Sequence, residues 1–186
     1  MSAVAGAGAL PTFRYHPDPV ATGAVERRPV SCRCCGHDRG WVYAVAPYAV
    51  EDLQDALCPW CVADGSAAAT FDASFTDLGG DDVPDDVAPQ VIHEIAHRTP
   101  GFSAWQQERW LFHCGDGCAF LGAVGWDELA RHPDAVAAVL AQVAGWGLDG
   151  DDAEAFVGSL DTDGASTAYL FRCLHCGTHL AYADAD

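Results

Sequence analysis

The spacing of apolar and polar positions changes period several times along the chain, and each change marks an element. TAYLFRCLHCGTHLAYAD (167–184) holds two alternating runs on either side of a CLHCG turn, which predicts a C-terminal β-hairpin. WDELARHPDAVAAVLAQVAGWG (126–147) carries a helical period, with Pro133 at an internal start, and reads as one or two helices. DAEAFVGSL (152–160) predicts another short helix. WLFHCGDGCAFLGAVG (110–125) reads as a strand followed by a turn.

The first half is less regular. GWVYAVAPYAV (40–50) is aromatic and β-branched and predicts a strand broken or edged at Pro47. Residues 50–57, VEDLQDAL, resemble a short helix running into Cys58, and 62–75 begin with turn residues before a short helical or irregular stretch. A helix is expected over 87–98, stopped by Pro100 and Gly101. On a wheel started at Val87, the residues Val91, Ile92 and Ile95 share a face, and His93 and His97 fall roughly opposite. Residues 13–30, with three prolines, read as an extended arm, and 77–89, DLGGDDVPDDVAP, as an exposed linker. The pattern as a whole predicts an α+β fold, with small zinc-ribbon-like sheets and packed helices in one compact body. Residues 1–9 are expected as a flexible tail. Residues 10–186 are expected as a single domain with two zinc sub-sites, at about 30–76 and 105–186.

Charge narrows the partners. Nine basic residues stand against 27 acidic ones, a formal net charge of −18. Such a surface repels phosphate backbones and anionic lipid, so no nucleic acid is expected and a partner with a basic surface is the natural complement. The start of the chain has no Arg or Lys before Arg14, and residues 135–145, AVAAVLAQVAG, are too short to span a bilayer. No membrane insertion is expected, and the reading is a soluble, cytoplasmic protein.

That compartment keeps thiols reduced, which turns nine cysteines into candidate ligands rather than disulfides. Eight form close pairs: Cys32 and Cys35, Cys58 and Cys61, Cys114 and Cys118, Cys173 and Cys176. A Cys-x-x-Cys turn followed by glycine aims two thiolates at one ion, and the first and last pairs carry that glycine. Proximity along the chain joins the first four thiols in one zinc site and the last four in another, two structural zinc ions in all. The x3 spacing of Cys114 and Cys118 is the looser one. His37, His113 and His175 stand beside the pairs and are expected as neighbours or outer donors rather than ligands. Cys34 is the odd thiol and reads as a buried bystander.

Two other chemistries have local support. His93-Glu94-x-x-His97 has the spacing of a catalytic zinc helix, but the helix stops within three residues, and Pro100 and Ser103 stand where an extended motif needs glycine and histidine. Trp105, Gln106, Gln107, Glu108, Trp110, His113 and Asp116 form a dense aromatic and polar block that can line a hydrolase pocket, with Glu108 or His113 as acid or base. The alternative for that block is buried tryptophans, with glutamines bonding the backbone. CPWC (58–61) resembles a thiol redox site, although Gly65 ends any following helix early. A non-enzymatic interaction module accounts for the four pairs without a complete catalytic set.

The blocks LPTFRYHPDP (10–19), CRCCG (32–36), LCPWCVADGSAA (57–68), HRTPGFSAWQQERWLFHCGDGCAFLG (97–122) and AYLFRCLHCGTHLAYAD (168–184) together resemble the CbrC family of bacterial proteins, with residues 121–165 matching least clearly. The resemblance implies a soluble, zinc-containing bacterial protein with a role in stress or toxin tolerance, the family's namesake being linked to tolerance of a DNase colicin. It implies no known reaction.

Overall fold

The computed structural model describes residues 9–78 and 83–185, so the tail expected over 1–9 lies outside it save for Ala9, as do residues 79–82 of the acidic run. The fold is α+β, and the chain divides into two units, Met1–Ser103 and Ala104–Asp186.

In the first unit, strand β1 (Val25–Glu26) pairs antiparallel with β2 (Val42–Tyr43), so the strand expected over 40–50 is held to two residues. Helix α1 (Pro59–Ala63) starts on a proline, which gives up an N–H that the first turn leaves unpaired anyway. Helices α2 (Ser66–Phe71) and α3 (Pro89–Arg98) follow. Their core gathers Phe13, Tyr43, Leu53, Leu57, Val62 and Phe75 around Cys32, Cys58 and Cys61. The thiols are therefore part of the hydrophobic core itself.

Residues 51–57 form turns, not the expected helix. Asp55 adopts a left-handed conformation (φ 55) that interrupts a helix, and long-range partners hold the stretch open. Arg28 reaches Asp55 at 2.7 Å, Arg33 binds the Asp52 carbonyl and Glu51, and the Gln54 amide donates to the Ala44 carbonyl. Local apolar spacing carries no trace of these contacts.

Helix α3 buries Ile95 and Ala96 and ends at Arg98, whose guanidinium donates to the Ala63 carbonyl. The chain beyond it is pinned by the N-terminal arm. His16, fully buried, donates from Nδ1 to the Pro100 carbonyl at 2.8 Å, which leaves Nε2 to accept the Thr22 hydroxyl at 2.6 Å. Gly101 N–H donates to the Tyr43 hydroxyl.

The second unit is built on a three-stranded antiparallel sheet, β5 (Ala119–Val124), β6 (Ser166–Arg172) and β7 (His179–Ala185), with β6 central and Tyr169 opposite Tyr182. The C-terminal hairpin is the one the alternation predicts. Period two sends Ala168, Leu170, Ala181 and Ala183 to one face, where they pack with Val139, Val143 and Val157 of helices α5 (Pro133–Gly145) and α6 (Gly150–Gly158). A short helix α4 (Trp126–Leu129) precedes α5, so the break falls at Pro133. Alanines on the strands let α5 approach closely. Gln142 then bonds both backbone groups of Ala183, accepting its N–H at 2.7 Å and donating to its carbonyl at 3.0 Å, which closes the sheet edge. The other face of the sheet is aromatic, with Phe171 against Trp110, Phe120 and Tyr182. Among the described residues no helix is long and apolar enough to cross a membrane.

Burial pushes the His16 imidazole down from its ordinary 6.5 to about 4. The fold holds the neutral ring, so this stabilisation is complete above pH 6.5 and is lost as pH falls through 4. Denaturant unfolding of the wild type and of His16→Gln across that range should show the wild type losing about 3 kcal/mol more than the variant. Parallel pH dependences would remove His16 as the cause.

Candidate metal centres

Among the described residues, two sets of three or more donors converge, each with all its ligand atoms within 4.8 Å of one another. The first is Cys32, Cys35, Cys58 and Cys61, the four thiols that proximity along the chain joins. Cys32 and Cys35 sit on a turn in which Gly36 N–H donates to the Cys32 carbonyl at 2.7 Å, and Gly36 takes the left-handed φ of +72 that turns the backbone back under the sulfurs. Cys58 precedes α1 and Cys61 lies on its first turn, with Pro59 setting the entry. Cys58 N–H donates to Cys32 Sγ at 3.2 Å, which ties the two halves of the set together.

The sulfur spacings test the fit to an ion. Four sulfurs around a tetrahedral zinc at about 2.3 Å stand about 3.8 Å apart. Here Cys32 and Cys61 are 3.9 Å apart, Cys35 and Cys58 3.8 Å, and Cys58 and Cys61 3.6 Å. Charge gives the same answer. Hydrogen bonding from Cys58 pulls the Cys32 thiol down to about 4, while the bond to Cys32 and burial push Cys58 up, and burial pushes Cys61 up to about 12. One thiolate is sheltered at the expense of its neighbours, and only a cation can hold all four ionised.

The second set is His113, Cys114, Cys173 and Cys176. Strand β3 (Phe112–His113) pairs with β4 (Asp116–Gly117) through a two-residue turn, with Cys114 at φ 54 and Gly115 at φ 68. Positive φ at both central positions is the mark of the tight turn that matches strand twist, and glycine is the residue that takes it most easily. Cys173 and Cys176 form the knuckle between β6 and β7, where Gly177 N–H donates to the Cys173 carbonyl and the amides of His175 and Cys176 approach Cys173 Sγ at 3.4 and 3.5 Å. Cys114 Sγ and Cys176 Sγ are 3.9 Å apart, and His113 Nδ1 lies 3.2 and 3.4 Å from them. Mixed sulfur and nitrogen donors on one zinc are separated by about 3.6 Å, close to these values.

This set departs from the sequence expectation at one position: His113 stands where Cys118 was expected. The hairpin explains the exchange. The x3 spacing spans a turn and its return strand rather than a knuckle, so Cys114 is carried to the tip while Cys118 lies back along the ladder, its N–H on the Leu111 carbonyl. Cys118 is fully buried, and burial, followed by the nearby thiols and Asp116, pushes its thiol up to about 12. A legible signal was present: His-Cys-Gly-Asp places Cys-Gly at the centre of a two-residue turn, with His113 beside it. Of the other histidines, His175 bonds buried Asp116 through Nε2 at 2.8 Å, which holds the knuckle from outside, and His37 is exposed. Cys34 lies 3.5 Å from the Ser66 hydroxyl and outside both sets.

His93 and His97 stack on α3 with ring centroids 4.6 Å apart on the face away from Ile95, and they belong to neither set. The aromatic and polar block divides. Trp110 is buried and its Nε1–H donates to the Cys118 carbonyl, Trp105 is exposed, and Gln106 bonds Asp184 through its N–H and the Ala185 carbonyl through its side chain. A cleft of about 350 Å³ is lined by Gln106, Gln107, Arg109, Gln142, Trp146 and Tyr182 among others. Neither Glu108 nor His113 is among its lining residues: Glu108 is buried, and His113 directs Nδ1 at the thiols.

Fold and donor sets define a small α+β protein with two cysteine-rich sites, each able to hold a metal ion. The chain belongs to the Uncharacterised protein family (UPF0167), whose model matches residues 10–185. It is 54% identical over 175 residues to a UPF0167 protein of Mycobacterium bovis and to one of Mycobacterium tuberculosis, covering 94% of this chain and 93% of each relative. It is 43% identical over 182 residues to a UPF0167 protein of Pseudomonas aeruginosa, covering 95% of this chain and 97% of the relative. No solved structure matches it.

Metal titration of the reduced protein should separate the two candidates for the fourth ligand. His113→Ala should lower the tightly bound metal by one ion per chain, and Cys118→Ala should leave it unchanged. The reverse pattern would return Cys118 to the ligand set.

Proposed function

We propose that this chain is a cytoplasmic zinc protein whose two ions hold its units in shape, and that it acts as an interaction module rather than as a catalyst. The observation that carries the reading is the convergence of eight donors from distant parts of the chain at tetrahedral spacing. Thiolate-rich tetrahedral sets take zinc or iron, and one imidazole among three thiolates belongs to structural zinc chemistry. Within the first unit the ion would replace apolar contacts that its core lacks, so its removal would cost folding energy directly.

The charge of −18 supports a partner with a basic surface, met by steering and by ion pairs at the rim. The resemblance to the CbrC family supports a role in bacteriocin or stress tolerance, with a basic DNase domain as the first partner to test. Its binding should weaken steeply as salt is raised, and an affinity indifferent to salt would count against charge as its basis.

Elemental analysis of protein purified under reducing conditions should find two zinc ions per chain. Cys32→Ser with Cys35→Ser should remove one and Cys173→Ser with Cys176→Ser the other, and chelation should abolish cooperative unfolding of the first unit. Iron in place of zinc, seen as visible sulfur-to-metal absorption, or metal lost only in His93 or His97 variants, would overturn the reading.

A further inference from the structure

The two sets differ in what solvent can reach. Cys32, Cys58 and Cys61 are each at most 4% exposed and packed among Phe13, Leu57 and Val62. In the second set only Cys173 is buried, while Cys114 and Cys176 are exposed. A thiolate reacts with a dissolved oxidant only where the oxidant can reach the sulfur; in the first set Cys35 alone is partly open and the other three thiols of its set are buried, whereas the second set offers two exposed thiols. The exposed pair is also placed to react together, with Cys114 Sγ 3.9 Å from Cys176 Sγ, one on a hairpin tip and the other on a knuckle.

We propose that Cys114 and Cys176 are a peroxide-sensitive oxidation site that releases the metal of the second unit while the first unit keeps its own. This deepens, and rests on, the reading of the second set as a zinc site. One thiolate attacks the O–O bond of hydrogen peroxide, forming a sulfenic acid and hydroxide. The other thiolate attacks that sulfur, forming the disulfide and expelling a second hydroxide. Two thiolates lose two electrons to one peroxide, which becomes two hydroxide ions, or two waters after protonation. The ion is then left with His113 and Cys173 alone, too few donors to hold it against solvent. The released tip is the β3–β4 hairpin, whose Asp116 binds His175 of the opposite knuckle, so oxidation acts on both halves of the site.

The test uses the whole zinc-loaded protein, treated with hydrogen peroxide in the presence of a colorimetric zinc chelator and mapped for disulfides by mass spectrometry after alkylation. One zinc equivalent should leave with formation of a Cys114–Cys176 disulfide, and the second should leave at least about tenfold more slowly. Reductant with added zinc should restore the first. Cys34→Ser should change neither rate, which separates the site from the unpaired thiol outside both sets. Equal release rates, a first disulfide among Cys32, Cys35, Cys58 and Cys61, or zinc loss with no disulfide would each overturn the proposal. Protein purified without zinc would sink the zinc reading alone. The disulfide map still decides the oxidation site, since Cys114 and Cys176 must then pair ahead of the thiols of the first set.

Discussion

Three thiols inside one apolar core, with a fourth packed against it, cannot all be ionised unless a cation is among them. That constraint organises the first unit. Among the described residues its regular structure amounts to two two-residue strands and three helices of five to ten residues, and Cys32, Cys58 and Cys61 stand at the centre of the residues these elements bury. Helices of five and six residues are far below the length at which a helix holds itself together, so α1 and α2 depend on what they pack against. A shared ion would close the long-range loop between Cys35 and Cys58. The N-terminal arm adds a second tether, since His16 holds Pro100 across 84 residues of sequence.

The second unit is constrained differently. Its sheet has seven-residue strands, a helix-covered face and an aromatic face, and Gln142 completes the backbone bonds at the edge of β7. The metal set hangs at the ends of this scaffold, on the β3–β4 turn and on the knuckle between β6 and β7. Hairpin geometry brings the donors together there. A β6–β7 ladder in full register from Ser166 to Arg172 fixes where the knuckle falls.

What the sequence made legible follows from how local each signal is. The C-terminal hairpin, the helix break at Pro133 and the placement of His93 and His97 away from Ile95 each rest on a period or a proline within one element; the structure has the first two, and it leaves His93 exposed and His97 half-buried. The first four donors were legible because two close pairs lay near each other. The second set was legible for Cys114, Cys173 and Cys176, but not for the fourth member, because pair counting treats every short spacing between cysteines as a knuckle. Turn chemistry distinguishes them: Cys-Gly between His113 and Asp116 makes a two-residue hairpin, and a hairpin presents the residue beside its tip rather than the one after its return strand. The expected helix at 50–57 failed for the opposite reason. Its apolar spacing is sound, but Arg28 and Arg33, 18 to 27 residues from their partners, hold its acids in an open turn.

The difference in burial between the two sets follows from these two ways of building a unit. Where the core is small, an ion held by these thiols would sit inside it, and burial of Cys32, Cys58 and Cys61 comes with the position. Where a sheet and two helices already supply the core, the donors can be placed at turns, and turns lie at the surface. A metal at the first position would be tied to the folding of its whole unit, because Cys58 and Cys61 are packed in one core with Leu57 and Val62. A metal at the second position is tied only to the hairpin tip and the knuckle, since Val139, Val143, Leu170 and Ala183 pack without reference to it. The same chemistry would therefore have different consequences at the two ends of the chain: at the first a metal would be a condition of folding, and at the second it could come and go while the sheet remains.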